Sequence, residues 1–310
     1  TSSNGVYLKN HVFNLMQKYI ITAAFQEINP FFQFFIKFFT KGAFSGQTKA
    51  NSKEETRMAI RTDLALEAKT LWEQSAGQTT QLRGVRARER STQGFAVTDV
   101  EIRNRQGEEA LGKPAGTYVT VELPKRAQDP RPAARAVAEE LRRLMALGPQ
   151  DSVLVAGLGN TAVTPDALGP KTVAGLFLTR HLIEHLPEYF GTCRSVSAVA
   201  PGVLATTGME SIEVVRGACA HVRPSCVLCI DALAAGAPER LCTTIQMTDT
   251  GIVPGSGVGN ARAAFQKKTL GVPVYAVGVP TVVDAASLTG RGGEEMIVTP
   301  RDIDAQIRYL

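Results

Sequence analysis

Three stretches of this sequence are apolar at nearly every position and stop at a turn-forming or acidic residue. They are Val153–Ala156 before Gly157, Val227–Ile230 before Asp231, and Val274–Val279 before Pro280. A strand with one wet face alternates apolar and polar residues, so a strand that is apolar throughout is covered on both faces. Helical patterns lie between such runs, as in Leu168–Leu186. This rhythm predicts an α/β fold of three layers, a mostly parallel central sheet between helices. Earlier in the chain, Phe95–Ile102 and Thr117–Leu123 alternate and are expected as strands. Ala133–Leu147 carries Val137, Leu141, Leu144 and Met145 on one side and meets Gly148-Pro149, which predicts an amphipathic helix and its stop. Another helical pattern starts at Arg61. A last helix is expected from Thr299-Pro300-Arg301-Asp302, and the chain reads as ending early, inside or just after it.

The amino end follows other rules. Residues 12–39 are rich in Phe and Ile, but Glu27, Pro30 and Lys37 interrupt them, and no apolar run nears the roughly 20 residues that span a bilayer. Coiled as a helix, the stretch would put Phe31, Phe34, Phe35 and Phe38 on one face, as interfacial anchors do. We read it as a disposable leader without membrane contact, and the polar, Lys-rich residues 40–60 as a linker. Residues 1–60 are therefore expected as leader or pro-segment, and 61–310 as the folded domain.

The net charge is +5, and arginines crowd between Arg83 and Arg143. No DNA-binding motif or interleaved aromatic accompanies them, so they read as a solvated face rather than a nucleic-acid surface. Five cysteines fall between Cys193 and Cys242 without a disulfide framework. Cys226 and Cys229 are three apart on an expected strand, so their thiols face opposite ways, as small core residues of a reducing cytosol.

The stretch Gly157-Leu-Gly-Asn-Thr-Ala-Val-Thr-Pro-Asp166 follows one buried strand and opens a helix. Ligands bind at the carboxyl ends of the strands in open sheets of this kind. By itself Asp166 reads equally as a helix-dipole partner. Asp231 ends the next clear strand and is expected at the same edge. Two carboxylates in one crevice resist double ionisation and share a proton. One ionised and one protonated acid can activate water against a peptide carbonyl and protonate the leaving amine. Gly159 and Asn160 beside them, Gly257 in a glycine-rich loop, and Asp284 after the third strand are supporting candidates for substrate or oxyanion contacts. A serine-hydrolase elbow is absent. His181-Leu-Ile-Glu-His185 has the order of an inverted zinc motif but no evident third ligand, and no metal or cofactor is expected.

At these residues the sequence resembles the germination protease family, spore endopeptidases that degrade small acid-soluble proteins. The matching stretches are Arg61-Thr-Asp-Leu-Ala65, Lys113-Pro-Ala-Gly-Thr-Tyr-Val-Thr120, Gly157-Leu-Gly-Asn160, Thr164-Pro-Asp-Ala-Leu-Gly-Pro170 and Ile230-Asp-Ala-Leu-Ala-Ala235. Thr248-Asp-Thr-Gly-Ile252, Pro254-Gly-Ser-Gly-Val-Gly-Asn260 and Val277-Gly-Val-Pro-Thr-Val-Val-Asp-Ala285 complete the ordered set. The resemblance implies a homotetrameric zymogen of the spore core cytoplasm, with a fold similar to hydrogenase maturation proteases. It also implies essential aspartates at Asp166 and Asp231, and self-processing between Asp63 and Leu64. The chain departs from the family where Gly236-Ala237 stands in place of an expected Arg-Ser. One alternative keeps the fold but changes the chemistry, a nickel-binding hydrogenase-maturation endopeptidase; another is a non-catalytic anion-binding protein.

Overall fold

The computed structural model describes residues 62–76, 82–256, 262–283 and 300–310. The chain divides into units 1–57 and 58–310, and every described residue belongs to the second. The Phe-rich leader, Gly257 and Asp284 lie outside the described residues.

The described strands form one eight-stranded sheet in the order β1-β2-β3-β7-β8-β6-β4-β5. They are β1 Val85–Thr92, β2 Phe95–Ile102, β3 Gly116–Glu122, β4 Val153–Gly157, β5 Val196–Val199, β6 Cys226–Ala235, β7 Thr244–Thr248 and β8 Val274–Val283. The helices that matter for the site are α1 Ala65–Ala76, α2 Arg105–Leu111, α3 Arg131–Met145, α4 Leu168–Gly175, α5 Arg180–His185, α6 Ser211–Val222 and α7 Pro300–Ile307.

The sheet is mixed, which corrects the expectation of a mostly parallel one. Its β8-β6-β4-β5 half is parallel, as the apolar runs predict. The β1-β2-β3-β7-β8 half is antiparallel and contributes more strand pairs. The reason lies in two local features. Gln93 and Gly94, both at positive φ, turn β1 directly back into β2, the two-residue hairpin geometry that matches strand twist. The short β7 then enters between β3 and β8 and runs against both. The charged β1, Val-Arg-Ala-Arg-Glu-Arg-Ser-Thr, holds three of the clustered arginines. It sits at the sheet edge, where charge discourages pairing with another chain. Arg90 from this strand meets Asp99 of β2 at 3.0 Å and the buried Glu140 of α3, which Arg143 also reaches at 3.1 Å.

In the parallel half, apolar residues serve two faces. Leu154, Ala156, Val227 and Cys229 pack with Ile212, Val215 and Cys219 of α6. Val153, Val155 and Cys226 pack on the other side with Met145 of α3. Cys226 and Cys229 thus point into opposite clusters, as their spacing requires, and all five cysteines are free. Leu168 of α4 and Ile303 of α7 join the core under β3, β7 and β8.

The single helix expected over Leu168–Leu186 is broken. After Gly175 the chain becomes extended, and Thr179 bonds the strand instead: its N–H donates to the Val196 carbonyl, and its hydroxyl accepts from the Val196 N–H. Helix α5 is short, so His181 and His185 are exposed on one turn rather than on a long core helix. No helix among the described residues is long and apolar enough to cross a membrane.

Candidate active site

Strand β4 stops pairing with β6 at Gly157 and Ile230. From Asp231 onward β6 continues to Ala235 without that neighbour. Asp231 is therefore the first residue past the rim of β4, inside its strand rather than at its end as the sequence suggests. The released chain after β4 forms the loop that carries Gly159 and Asn160, then a 3-10 turn over Thr164–Asp166 ahead of α4. Asn160 N donates to the Asp166 carbonyl at 3.0 Å, folding the loop back on itself. Gly159 has φ 114°, and a Cβ there would lie 2.1 Å from the Asp166 carbonyl oxygen and 2.8 Å from its Oδ1. Only glycine lets Asp166 come so near.

Asp166 and Asp231 line one hollow together with Gly159, Asn160 and Asp63. A second hollow adjoins it, sharing Asp63, Asp231, Ala232 and Leu233 and adding Lys113, Tyr118 and Gln246. Asp231 is 5% exposed. Burial first, then the negative charges of Asp166 and Asp63, push its carboxyl up to about 8, while its Oδ1 accepts the N–H of Ala232 at 2.9 Å. Burial also raises the Asp166 carboxyl, against a backbone bond from Asn160. The pair is thus asymmetric: burial and neighbouring negative charge favour the protonated form of Asp231, whose carboxyl is the more deeply buried of the two. Together they can accept one proton and give another.

The segment around the expected processing site passes through this cleft. Asp63 N donates to the Ala234 carbonyl at 2.9 Å, and its Oδ2 accepts from Ala234 N at 2.8 Å. Ser256 Oγ donates to Asp63 Oδ1 at 2.8 Å. Gln246 Nε2 donates to the Asp63 carbonyl at 2.9 Å, and its Oε1 accepts from Ala65 N at 2.7 Å. Lys113 Nζ donates to the Thr62 carbonyl at 3.3 Å; burial lowers its pKa, opposed by Asp63 and Glu67. Leu64 is fully buried against Leu233 and Ala235. Glu67, bonded to the Thr62 hydroxyl, accepts from Gly236 N at 2.7 Å and Ala237 N at 3.0 Å. At the departing Gly236-Ala237 pair the chain therefore contributes backbone amides, which need no particular side chain.

The structure gathers Asp63, Gly159, Asn160, Asp166 and Asp231 at one cleft, with Leu64 buried next to Asp63. Lys113, Gln246, Ser256 and Glu67 also contact the segment, and sequence reasoning gave none of them a role. For Gln246 one signal existed: it is a lone amide in Thr-Ile-Gln-Met-Thr, a strand buried at every position, and a buried amide requires partners.

A mixed α/β sheet with an acid pair and an extended peptide segment in the same cleft has the form of a hydrolase of peptide bonds. The sequence model of the family described as germination protease matches residues 65–297. The germination protease of Caldanaerobacter subterraneus subsp. tengcongensis is 48% identical over 236 residues, 74% of this chain and 71% of that protein. That of Clostridium acetobutylicum is 44% identical over 238 residues, covering 74% of this chain and 72% of its own. That of Priestia megaterium is 43% identical over 245 residues, 76% and 66% of the two chains. The chain is a peptidase and belongs to the germination protease family.

Proposed function

We propose that this protein is a self-processing endopeptidase that cuts its own Asp63–Leu64 bond and then small acid-soluble spore proteins during germination, with Asp166 as base and Asp231 as acid. The reading rests above all on the unequal carboxyl pair: a buried Asp231, its carboxyl pushed up to about 8, and the more accessible Asp166 line one cleft with Asp63. In this mechanism Asp166 takes a proton from water as the oxygen bonds to the Asp63 carbonyl carbon and the C=O pair moves onto oxygen. The carbonyl then re-forms, the C–N bond breaks, and Asp231 gives its proton to the Leu64 nitrogen. The products are a carboxyl group and an amine, and transfer of the water proton from Asp166 to Asp231 restores the pair.

Gly159 and Asn160 are proposed to shape the Asp166 loop, and Gly257 and Asp284 stay proposed on sequence grounds as substrate support. Residues 1–60 are proposed as the pro-segment side of a zymogen, ahead of a catalytic domain whose active form is a homotetramer of the spore core, with no direct nucleic-acid partner. The three-layer likeness to hydrogenase maturation proteases belongs to the same proposal. Their nickel chemistry has no observation in its favour, nor has the anion-binding alternative. Among the described residues no three His, Cys, Asp or Glu side chains gather as a metal site would require.

The test is to make Asp166→Asn and Asp231→Asn, verify folding by thermal melting, and follow self-processing and cleavage of a peptide with a Thr-Asp-Leu-Ala core. Both activities should fall to background in each variant. Processing at the wild-type rate in either would refute the assignment, and an amino-terminal sequence after processing that does not start at Leu64 would refute the site.

A further inference from the structure

Gln246 holds a place in the sheet that the two-carboxylate mechanism leaves unused. It pairs with Gly278 of β8, and Gly278 pairs in turn with Asp231 of β6. Residues paired across strands project to the same face, so Asp231 and Gln246 rise from one row with a glycine between them. A Cβ at Gly278 would sit 2.4 Å from Leu233 Cγ. The bare backbone there therefore leaves room for the Leu233 side chain, and Asp231, Gly278 and Gln246 line one hollow. Gln246 is 6% exposed, and both polar atoms of its side chain are spent on the peptide lying in the cleft. Ala65 N is a donor and must meet Oε1, which turns Nε2–H toward the Asp63 carbonyl, at 2.9 Å. That carbonyl belongs to the Asp63–Leu64 bond.

We propose that Gln246 is a catalytic residue of the peptidase: its Nε2–H donates to the scissile carbonyl oxygen and stabilises the negative charge that gathers there when water adds, while its Oε1 holds the chain two residues further on. The inference rests on the processing site and acid pair proposed above. A neutral amide suits the task, because it donates without adding a charge that would disturb the nearby Asp231. When the bond is cut, Asp63 leaves with the preceding segment and Nε2 loses its acceptor. A buried donor without a partner costs about 1–3 kcal/mol, so the vacated position favours the carbonyl of an incoming substrate. The same amide would thus serve self-processing and cleavage in trans.

The experiment compares Gln246→Met, which keeps volume but has no donor, with Gln246→Glu, which keeps an acceptor for Ala65 N. Self-processing and kcat and KM on a Thr-Asp-Leu-Ala peptide are measured beside Asp231→Asn, with a thermal melt of each. Removing one such donor lowers kcat by about 100-fold or more, so both glutamine variants should lose kcat to that degree with little change in KM. Wild-type processing, or a rise in KM with kcat intact, would overturn the proposal and leave a plain structural clamp. Loss of the cooperative melt in both variants would overturn it equally. If Asp231→Asn retains activity, the fault lies in the acid pair; if it is dead while the Gln246 variants are wild type, only the Gln246 inference falls.

Discussion

Replacing Asp231 by Asn should destroy activity and stabilise the fold, and the gain should depend on pH. The carboxyl is buried and titrates near 8 in the folded chain, against about 3.9 in an unfolded one. Between those two values the native state holds a proton that the unfolded state has released. Native stability therefore falls as pH rises, by about 1.4 kcal/mol per pH unit for one proton. The contribution is whole below about pH 4, erodes across the window, and is fully lost above about 8. By pH 7 the window spans about three units, so the loss is at most about 4 kcal/mol. Asn titrates nowhere in this range and still offers Oδ1 to the N–H of Ala232, which Asp231 now accepts at 2.9 Å. In a domain of this size each kcal/mol moves Tm by about 2–4 °C. Calorimetry should thus find Asp231→Asn melting up to about 8–16 °C above wild type at pH 7 and level with it at pH 4. Parallel Tm-against-pH curves for the two proteins would show that Asp231 does not titrate as a buried acid, and the assignment of the proton donor would fall with it.

The rate of peptide cleavage should follow a bell in pH, falling above about 8 as Asp231 loses its proton and falling in acid as Asp166 gains one; a flat alkaline limb would refute the assignment of roles. Gly159→Ala should force Asp166 away, since the new methyl carbon would lie 2.1 Å from its carbonyl oxygen; we expect kcat to drop about 100-fold, the scale of small misplacements at a reacting centre, with the melt shifted far less. Asp63→Ala should block self-processing but leave cleavage in trans by enzyme already processed. Arg90→Ala should strip Glu140 of a partner while it stays buried at 1% exposure. Burial opposes the Glu140 charge, but bonds from Arg90, Thr92 and Arg143 hold its pKa at about 2. Losing this charged partner while Arg143 and Thr92 remain costs about 1.5–3 kcal/mol, and denaturant melts of Arg90→Ala alone and with Glu140→Gln would show the loss and its partial recovery.

The legible parts of this molecule are those in which one local pattern has one physical outcome. A strand covered on both faces leaves an unbroken apolar run, and Val153–Ala156, Val227–Ile230 and Val274–Val279 all became parallel strands. Cys226 and Cys229 divide between two cores because strand geometry leaves no other choice. Asp166 and Asp231 meet at one rim because each follows the place where a central strand loses its neighbour. The antiparallel half was harder to see. β1 is mostly charged and exposed, and its sign was a Gln-Gly pair at positive φ rather than hydrophobicity. The break after Gly175 was hidden because Leu176, Phe177 and Leu178 continue the apolar pattern while Thr179 prefers the hydrogen bonds of Val196.

What remained out of reach shares one cause. Ala65 and Gln246 are 181 positions apart, and Asp63 and Ser256 are 193 apart. No propensity or periodicity links such pairs, because the link is made by the sheet order, which sets β7 next to β8 and β8 next to β6. Once that order is known, the register does the rest: Gln246, Gly278 and Asp231 fall in one row. A glutamine that looked like an interruption in a buried strand then falls on the acid's own face of the sheet, with one glycine strand position between them. The polar residue that breaks a local rule is thus a pointer to the site, but it can be read only after the strand order is known.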